Sequence, residues 1–473
     1  MTEPSALLRT MNSTDVLVIG GGHAALCAAI SAAERGAKVT VLEAAPQWMR
    51  GGNSRHTRNM RVMHDEPTAT LVGAYSADAY WQDLLRVTEG VTDSELAQMV
   101  IAQSTELLHW LVRRGVHFQP ALSGTLNLES TNAFFLGGGK ALLNAEYAYA
   151  KKLGVGVVYE AQVIRINVEG GRFRSAVAEI SGELTEFTGN GLVVASGGFQ
   201  ANSAWMREAW GDAADNFLIR GTPYNTGIVL KNLMNQGADT VGEPDQCHAV
   251  AIDARAPKYD GGIVSRLDCV CFSVVVNKEG QRFYDEGEDF WPKRYAIWGR
   301  LVAQQPGQIA YALFDDKVVN NFMPSAFPVI QSETLAGLAA QLVDVDSQQL
   351  LATVDAFNAA LSGESENNND PGSLDGCATV GLTPAKTNWA RPIDTGPFYA
   401  YPLRPGITFT YMGLKVDRQA RVHLQGKPVD NMFAAGEVMA GNILGRGYCA
   451  GTGMTIGGVF GRIAGKEAAC QAQ

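Results

Sequence analysis

The 473-residue sequence has no continuous run of about 18 apolar residues, the length that a transmembrane helix needs. Its first fifteen residues also lack the basic-then-apolar order of a secretory signal. The seven cysteines are scattered, and the one close pair, Cys269-x-Cys271, is only a weak metal signal. These absences predict a cytoplasmic protein with reduced thiols and no metal site.

Positive charge is also scarce. Lys and Arg number 38 against 48 Asp and Glu, and the net charge is -10. Because a nucleic-acid-binding surface is usually basic, this balance argues against a nucleic-acid partner. An anionic ligand would need a local basic pocket inside an acidic protein. The length exceeds one ordinary hydrophobic core, which predicts two domains.

Glycine, by contrast, is abundant, and its first cluster directly follows an apolar strand. The segment runs as a strand over 16–19, the motif Gly20-x-Gly22-x-x-Ala25, a helix over 24–35 and a strand over 38–42 that ends at Glu43. In such a unit the glycines let a pyrophosphate reach the helix N-terminus, and the acid about 20 residues later binds a ribose hydroxyl. The motif predicts a Rossmann-like α/β fold but does not choose between NAD and FAD.

Later glycine-rich segments favour FAD. Residues 192–202 hold an apolar strand followed by Gly197 and Gly198, and residues 429–441 hold another that leads to Glu437. Such a late return of the chain to the cofactor is typical of two-dinucleotide-fold flavoproteins. The glycines of 451–453 precede a predicted helix over 454–463. Its N-terminus would direct free N–H groups and partial positive charge at the flavin, which raises electron affinity.

Several motifs in the chain resemble those of the fumarate reductase/succinate dehydrogenase flavoprotein family. They are the N-terminal unit, "RGGNS", "VVASGGF", "NKEGQRFYDE", and "FAAGEVMAG" followed by "FGRIAG", and they keep the family order. The stretch "GNILGRGYCAGTGMTIGG" is most similar to the tricarballylate dehydrogenase branch and also resembles 3-ketosteroid dehydrogenases. The resemblance implies a two-dinucleotide-fold FAD-binding domain over 1–243 and 410–473, with an inserted α+β capping domain over 244–409.

The resemblance further implies non-covalent FAD. In succinate dehydrogenases the histidine linked to FAD precedes the glycines of the "RGGNS" motif, whereas His56 here follows them. Glu437 would bind a flavin hydroxyl as Glu43 binds a ribose hydroxyl. The implied cofactor-binding residues are Gly20, Gly22, Ala25, Glu43, Gly51, Gly52, Asn53, Ser54, Val163, Ser196, Gly197, Gly198, Glu437, Gly451, Thr452 and Gly453.

A substrate site is implied between the cap and the C-terminal glycine-rich loop. His248 matches the family histidine that touches a substrate carboxylate, although a core histidine is an equal reading of the residue alone. Arg294, or the adjacent Lys293, falls near the proton-transferring arginine, and Arg266 matches an arginine of the proton relay. Arg446 lies in the loop whose arginine clamps a carboxylate, a role that a planar guanidinium suits.

The segment "GITFTYMGLKVD" departs from the fumarate reductase pattern. Thr408 or Phe409 stands where those enzymes carry a second histidine, which implies a different substrate. Tyr411 is a candidate base of the steroid-dehydrogenase kind or a core tyrosine. Further basic residues near the predicted flavin loops are Arg55, Arg58, Arg61, Arg220 and Arg404. Such a cluster matches a tricarboxylate, because each buried carboxylate needs a charged or multiply hydrogen-bonded partner.

The predicted reaction is the desaturation of tricarballylate to cis-aconitate by proton abstraction and hydride transfer to flavin N5. The sequence has no iron–sulfur or haem-binding cysteine pattern, so the electrons need an external acceptor. The resemblance implies a membrane-bound redox partner. The open alternatives are a 3-ketosteroid dehydrogenase-like or fumarate reductase-like flavoenzyme, an NAD-dependent dehydrogenase, and a flavoprotein that only carries electrons.

The interior of the cap has less distinct patterns. We expect a buried strand over 269–277, helices over 312–323 and 347–363, and a polar surface loop over 363–376.

Overall fold

A computed structural model describes residues 9–10, 13–121, 128–362 and 369–471 of the chain. Most of the N-terminal segment that was searched for a signal, and residues 363–368 of the polar loop, therefore lie outside the described residues. Within the described residues, no helix combines the length and the apolar character needed to cross a bilayer.

The strands and helices are numbered in chain order. The strands are β1 Arg9–Thr10, β2 Thr14–Ile19, β3 Val39–Leu42, β4 Asn59–Arg61, β5 Phe118–Gln119, β6 Asn132–Phe135, β7 Gly156–Val158, β8 Ala161–Glu169, β9 Arg172–Ile180, β10 Glu183–Val194, β11 Leu218–Arg220, β12 Thr240–Val241, β13 Cys247–Asp253, β14 Tyr259–Asp260, β15 Val274–Asn277, β16 Ala310–Asp315, β17 Ile330–Ser332, β18 Phe398–Thr410, β19 Gly413–Leu414, β20 Arg421–Leu424 and β21 Lys427–Ala434. The helices are α1 His23–Ala33, α2 Ala77–Thr88, α3 Ser94–Val112, α4 Gly138–Lys152, α5 Ser203–Trp210, α6 Ile228–Asn235, α7 Trp291–Arg294, α8 Trp298–Ala303, α9 Leu335–Ala339, α10 Ser347–Ala359 and α11 Thr452–Gln471.

The first sheet confirms the Rossmann-like prediction. Its strand order is β20-β21-β10-β2-β3-β7, and β21, β10, β2, β3 and β7 run parallel. The side chains of β2 from Val16 to Val18 are fully buried. Strands that are covered on both faces read as continuous apolar runs, which explains why this strand was evident in the sequence.

Helix α11 packs closely against α1 on this sheet. A Cβ atom at Gly465 would lie 2.1 Å from the Ala28 carbonyl oxygen, and one at Gly461 would lie 2.5 Å from that of Ala24. Glycine is therefore required where the two backbones approach. The contact brings the N-terminus of the last described helix beside the glycine turn that precedes α1.

The second sheet is mainly antiparallel, with order β14-β11-β18-β16-β15, and β13 and β17 also pair with β18. It has its own apolar core, which includes Trp298, Phe314 and Trp389. Most of it comes from the predicted cap. Strand β11 also joins it, although its residues precede position 244, where we predicted the cap to begin.

Two predicted elements of the cap differ from the structure. The segment 312–323 was expected to be helical, but residues 312–315 belong to β16, which is buried between β15 and β18. The Asp315 side chain then accepts a hydrogen bond from Lys317 N and starts only a short 3₁₀ turn. Within 269–277, residues Val270–Phe272 form a 3₁₀ turn before β15. The helix predicted from residue 347 is confirmed as α10.

Candidate functional site

A single continuous cavity connects the first sheet to the second. At one end it is lined by the turn after β2, the start of α1, the residue after β3 and the start of α11. At the other end it reaches residues of β11, β13 and β18. The carboxyl edge of a parallel sheet is where such folds bind nucleotides, so the cavity combines a cofactor end with a second, basic end.

The turn after β2 is shaped for close approach of a ligand to the backbone. Gly20 has φ +107°, and a Cβ atom there would lie 2.2 Å from the Ala195 carbonyl oxygen. Gly22, at the N-cap of α1, has no side chain to cap the helix, and Ser54 takes up only the N–H of His23. This end therefore offers backbone N–H groups and the positive end of a helix dipole, which fit a pyrophosphate.

Two buried carboxyl groups, those of Glu43 and Glu437, line the cofactor end of the cavity. Burial raises the pKa of Glu43 to about 7 and the pKa of Glu437 to about 8. Glu437 accepts hydrogen bonds from Thr410 N at 3.0 Å and from Asn225 Nδ2 at 3.3 Å. A Cβ atom at Gly198 would lie 2.3 Å from Glu437 Oε1, so only glycine leaves room for this carboxyl group. Hydroxyl donors of a ribose and a ribityl chain match these two acceptors.

Most of the predicted cofactor residues lie at this end. The cavity is lined by Gly20, Gly22, Glu43, Gly51, Gly52, Asn53, Ser54, Val163, Ser196, Gly197, Glu437, Gly451 and Gly453. Ala25, Gly198 and Thr452 lie behind this lining. Ala25 packs in the core, and Thr452 Oγ1 lies 3.1 Å from the Tyr80 hydroxyl.

Asn53 and Ser54 also hold the cavity wall together. Asn53 Nδ2 donates to the Thr408 carbonyl oxygen at 2.7 Å, and its Oδ1 accepts from Thr222 N at 2.9 Å. The Ser54 hydroxyl oxygen accepts from His23 N at 3.1 Å. The "RGGNS" segment therefore links the start of α1 to β18, and it fixes the cofactor end relative to the second sheet.

His248 lies at the basic end between two tyrosine rings. Its ring stacks on Tyr448 with centroids 4.1 Å apart and meets Tyr295 edge-on at 5.6 Å. Only 3% of the residue is exposed, and neither ring nitrogen has a hydrogen-bond partner within the described part of the chain. Burial and the nearby Arg220 and Arg266 hold the His248 pKa well below its usual value. The neutral ring therefore offers one donor and one acceptor to a ligand.

Three arginines line the same end of the cavity: Arg58, Arg220 and Arg266. Arg266 Nη2 lies 2.5 Å from Asp268 Oδ2. Arg220 donates to the Thr408 hydroxyl and the Gly262 carbonyl oxygen, each at 3.2 Å. Burial, reinforced by repulsion from Arg266, lowers the Arg220 pKa to about 10 and the Arg58 pKa to about 9. Three guanidinium groups thus face the cavity, and one of them, Arg266, is paired with a carboxylate.

The structure corrects the placement of Arg446 and Arg294. Arg446 is an exposed surface residue whose Nη1 lies 3.2 Å from Glu89 Oε2. It faces outward because Gly445 and Gly447 press the loop against the backbone of α2 and the turn after it; a Cβ atom at Gly447 would lie 1.8 Å from the Val87 carbonyl oxygen. Arg294 pairs with Glu288 at 2.8 Å outside the described cavity lining.

Tyr411 and Lys293 are also placed away from the described cavity lining. Tyr411 is buried in the core of the first sheet, which matches the core-tyrosine alternative. Lys293 Nζ lies 2.6 Å from Asp83 Oδ1. The structure therefore brings His248 and Arg266 together at the cavity, and not the other three predicted catalytic residues, Arg294, Arg446 and Tyr411.

Sequence reasoning missed Tyr448, Tyr295 and Asn225. Tyr448 lies in the same glycine-rich stretch as Arg446, and an aromatic residue among glycines was the available signal. Tyr295 follows Arg294 directly, so the prediction was one residue from a cavity-lining side chain. Asn225 carries no signal, because its role depends on the approach of Glu437 from a distant strand.

The fold and the cavity define an FAD-binding flavoprotein. The family model described as an FAD binding domain matches residues 15–455, and the chain belongs to that family. This confirms FAD as the cofactor and the resemblance to fumarate reductase flavoproteins.

Three similar proteins illustrate the family. The chain is 25% identical over 479 residues to NADH:fumarate oxidoreductase of Klebsiella pneumoniae (strain 342), covering 98% of this chain but 48% of that protein, about half its length. The open conformation of a flavocytochrome c3 fumarate reductase has a TM-score of 0.74 at 22% identity, covering 98% of this chain and 79% of that one. A 3-ketosteroid-Δ4-(5α)-dehydrogenase from Rhodococcus jostii RHA1 has a TM-score of 0.74 at 22% identity, covering 98% and 99%. The two structural likenesses establish the fold alone.

Proposed function

We propose that the protein interconverts CH–CH and C=C bonds in a small polycarboxylate, and that tricarballylate and cis-aconitate are the substrate pair. The main support for this proposal is the excess of positive charge at the basic end of the cavity, where we place the substrate. Arg58, Arg220 and Arg266 line this end, and Asp268 pairs with one of them. Arg58 and Arg220 are partly buried and form no ion pair with a described residue. Charge that is shielded from water without a partner is unfavourable, so this end favours an anionic ligand that has several carboxylates.

The arginines would bind the carboxylates and also favour the reaction. A guanidinium group grips a carboxylate through two parallel hydrogen bonds. When the carbon beside a bound carboxylate loses its proton, the same positive charge stabilises the negative charge that develops. His248, held between Tyr448 and Tyr295, donates its single N–H to a carboxylate oxygen and fixes the orientation of the substrate. Bound FAD supplies the acceptor for the hydride from the vicinal carbon.

The proton needs an acceptor that reaches the cavity. Among the predicted relay residues, Arg266 lines the cavity, whereas Arg294 does not. Arg266 is held against Asp268, whose other carboxylate oxygen accepts from Trp291 Nε1 at 3.1 Å. We therefore place the relay on this pair. Arg266 passes a proton to Asp268 as it receives the proton from the substrate, so the guanidinium group stays charged.

Flavin absorbance under anaerobic conditions tests the proposal. Tricarballylate should bleach the oxidised flavin of the wild-type protein, and cis-aconitate should reoxidise the reduced flavin. Arg266→Gln should slow bleaching by about 10² to 10⁴, the range for loss of an acid–base group, while FAD stays bound. The matched control is Arg446→Gln, which removes an exposed arginine and should bleach at the wild-type rate. The absence of any bleaching or spectral shift with tricarballylate, succinate and fumarate would overturn the proposal.

A ketosteroid is the second candidate, because the same end of the cavity also carries aromatic rings. Phe409 and His248 flank the Tyr448 ring with centroids 5.8 Å and 4.1 Å away. Such a wall suits a flat apolar ligand. A steroid, however, leaves Arg58 and Arg220 without a counter-charge. Bleaching by 4-androstene-3,17-dione, with none by polycarboxylates, would select this candidate.

The electron acceptor is proposed to be an external, membrane-bound redox protein. The described cysteines are buried except Cys470, and they are dispersed rather than grouped in an iron–sulfur pattern. Rapid reoxidation of substrate-reduced flavin by membrane vesicles of the source cell, and not by vesicles stripped of their proteins, would support this partner.

A further inference from the structure

We infer that Arg58 and Arg220 form an anion subsite separate from His248 and Arg266, and that Arg58 makes the enzyme select three carboxylates over two. This inference rests on the proposed function and names the residue that sets its specificity. It concerns the end of the cavity where the first sheet meets the second. Arg58 comes from the segment just before β4, whereas Arg220, His248 and Arg266 belong to β11, β13 and the loop after β14.

The three guanidinium groups differ in their ion-pair partners. Arg266 has Asp268 as a close acid partner, at 2.5 Å. Among the described residues, Arg220 has only a hydroxyl and a carbonyl oxygen as acceptors, which hydrogen-bond without neutralising its charge. Arg58 forms no ion pair with any described residue, although its backbone is fixed by the bond from Phe135 N to the Arg58 carbonyl oxygen at 2.9 Å. Two of the three guanidinium groups therefore have no ion-pair partner in the part of the chain that the structure describes.

The Arg220 side chain has a fixed place on the cavity wall. A Cβ atom at Gly262 would lie 2.3 Å from Arg220 Nε, so the glycine leaves room for the guanidinium group. Its Nη1 is directed to the Thr408 hydroxyl. The side chain is thus held in one orientation on the cavity wall, as a preorganised anion site requires.

The basic end of the cavity offers three positions for carboxylate groups. Arg58 and Arg220 each need a carboxylate for charge balance. The His248 ring nitrogens and Arg266 Nε are buried and have no hydrogen-bond partner within the described residues. The single N–H of the neutral His248 ring and the N–H of Arg266 Nε form a third position, where an acceptor oxygen satisfies two donors that are otherwise unpaired. Three positions match a tricarboxylate, and a dicarboxylate would leave one of them empty.

The test compares tricarballylate with succinate in Arg58→Gln, which removes the charge and keeps most of the length. The variant should lower kcat/KM for tricarballylate about 30- to 300-fold, the usual effect of removing one partner of a buried charged contact. The value for succinate should change less than about threefold, because succinate fills the other two positions. Arg58→Lys should recover part of the tricarballylate activity, since it restores the charge without the fork.

A second measurement separates substrate selection from damage to the fold. Arg58 is repelled by Arg266 and Arg220 in the ligand-free protein. Arg58→Gln should therefore raise the melting temperature of the ligand-free holoenzyme and reduce the additional rise that tricarballylate produces in the wild type. A lower melting temperature without ligand, or an equal loss of activity towards both acids, would overturn the inference. If neither acid binds to the wild-type protein, the proposed function itself fails.

Discussion

Lys293 Nζ lies 2.6 Å from Asp83 Oδ1, and this pair joins a helix of the second core to a helix of the first. Asp83 also accepts from Arg61 Nη2 at 2.5 Å and from the Tyr75 hydroxyl at 2.8 Å. Nearby, Arg86 of α2 pairs with Asp289 at 2.5 Å, so the polarity of the second pair is reversed. In one pair the acid is on α2, and in the other the acid precedes α7. Only one alignment of the two segments therefore forms both pairs. They hold α7, and with it Tyr295, against the cavity.

Asp83→Asn should destabilise the holoenzyme by about 3 kcal/mol, because it leaves Arg61 and Lys293 without their shared counter-charge. Lys293→Met should cost about 1 kcal/mol or less, since Asp83 keeps Arg61. Urea unfolding followed by flavin fluorescence measures both. Equal losses for the two variants would show that Asp83 is not the centre of the network.

The ion pairs of Asp83 make the free energy of unfolding depend on pH. Burial opposes ionisation of Asp83, but Arg61 and Lys293 outweigh it and hold the Asp83 pKa below its usual value. Its contribution to stability is therefore complete above about pH 4 and is lost as the pH falls through the lower folded-state pKa. In the Asp83→Asn variant, this loss of stability at acid pH should disappear.

FAD affinity should increase between about pH 6 and pH 8.5. In the ligand-free chain, burial raises the pKa of Glu43 to about 7 and of Glu437 to about 8. A carboxyl group with a raised folded-state pKa loses stability as the pH rises from its ordinary value to that pKa. Hydroxyl donors on FAD favour the ionised form and recover this loss, so binding tightens over the same window.

Reconstitution of flavin-free protein, followed by fluorescence quenching at several pH values, checks this dependence. Glu437→Gln should flatten the upper part of the profile and weaken FAD binding about tenfold at pH 8.5, which corresponds to one charge-assisted hydrogen bond. A profile that is unchanged in this variant would assign the pH dependence to another group.

Arg446→Ala should leave flavin reduction within about twofold of wild type and stability within about 0.5 kcal/mol. The reason is that Arg446 and Glu89 are both largely exposed, at 57% and 63% of their side-chain surface. Steady-state kinetics with tricarballylate and thermal unfolding measure the two effects. A loss above tenfold in kcat/KM would show that this loop turns inward during catalysis and would restore the carboxylate clamp predicted from the sequence.

FAD should be released when the protein is precipitated with acid. His56 lines the cavity but follows the glycines of its motif, and burial together with Arg55 and Arg220 lowers its pKa to about 4. A neutral histidine at this place is predicted to contact the cofactor without a bond to it. Absorbance of the supernatant and the washed pellet measures the outcome, and yellow colour that stays in the pellet would contradict it.

The nucleotide-binding half was predictable because its signals are local. An apolar strand, a glycine turn, a helix and an acid follow one another within residues 14–43, and each has its predicted position in the structure. Glu437 was equally evident, since it follows a buried strand directly. These residues are placed by the chain segment in which they lie.

The substrate end was less predictable because its residues meet only through long-range packing. In the glycine-rich loop, backbone contacts of Gly445 and Gly447 decide that Arg446 faces solvent while Tyr448 faces His248. Strand β16 carries helix-compatible residues and becomes a strand through its two neighbours. Neither outcome is encoded in local propensity, which tertiary contacts override.

The crossing of α1 and α11 has a consequence for how the protein acquires its coenzyme. The cofactor end of the cavity needs both the turn at Gly20 and the start of α11 near Gly457, and these two segments are separated by almost the whole sequence. A nascent polypeptide therefore carries only the Gly20 half of the binding site until α11 emerges from the ribosome. Flavin capture must await the emergence of that helix.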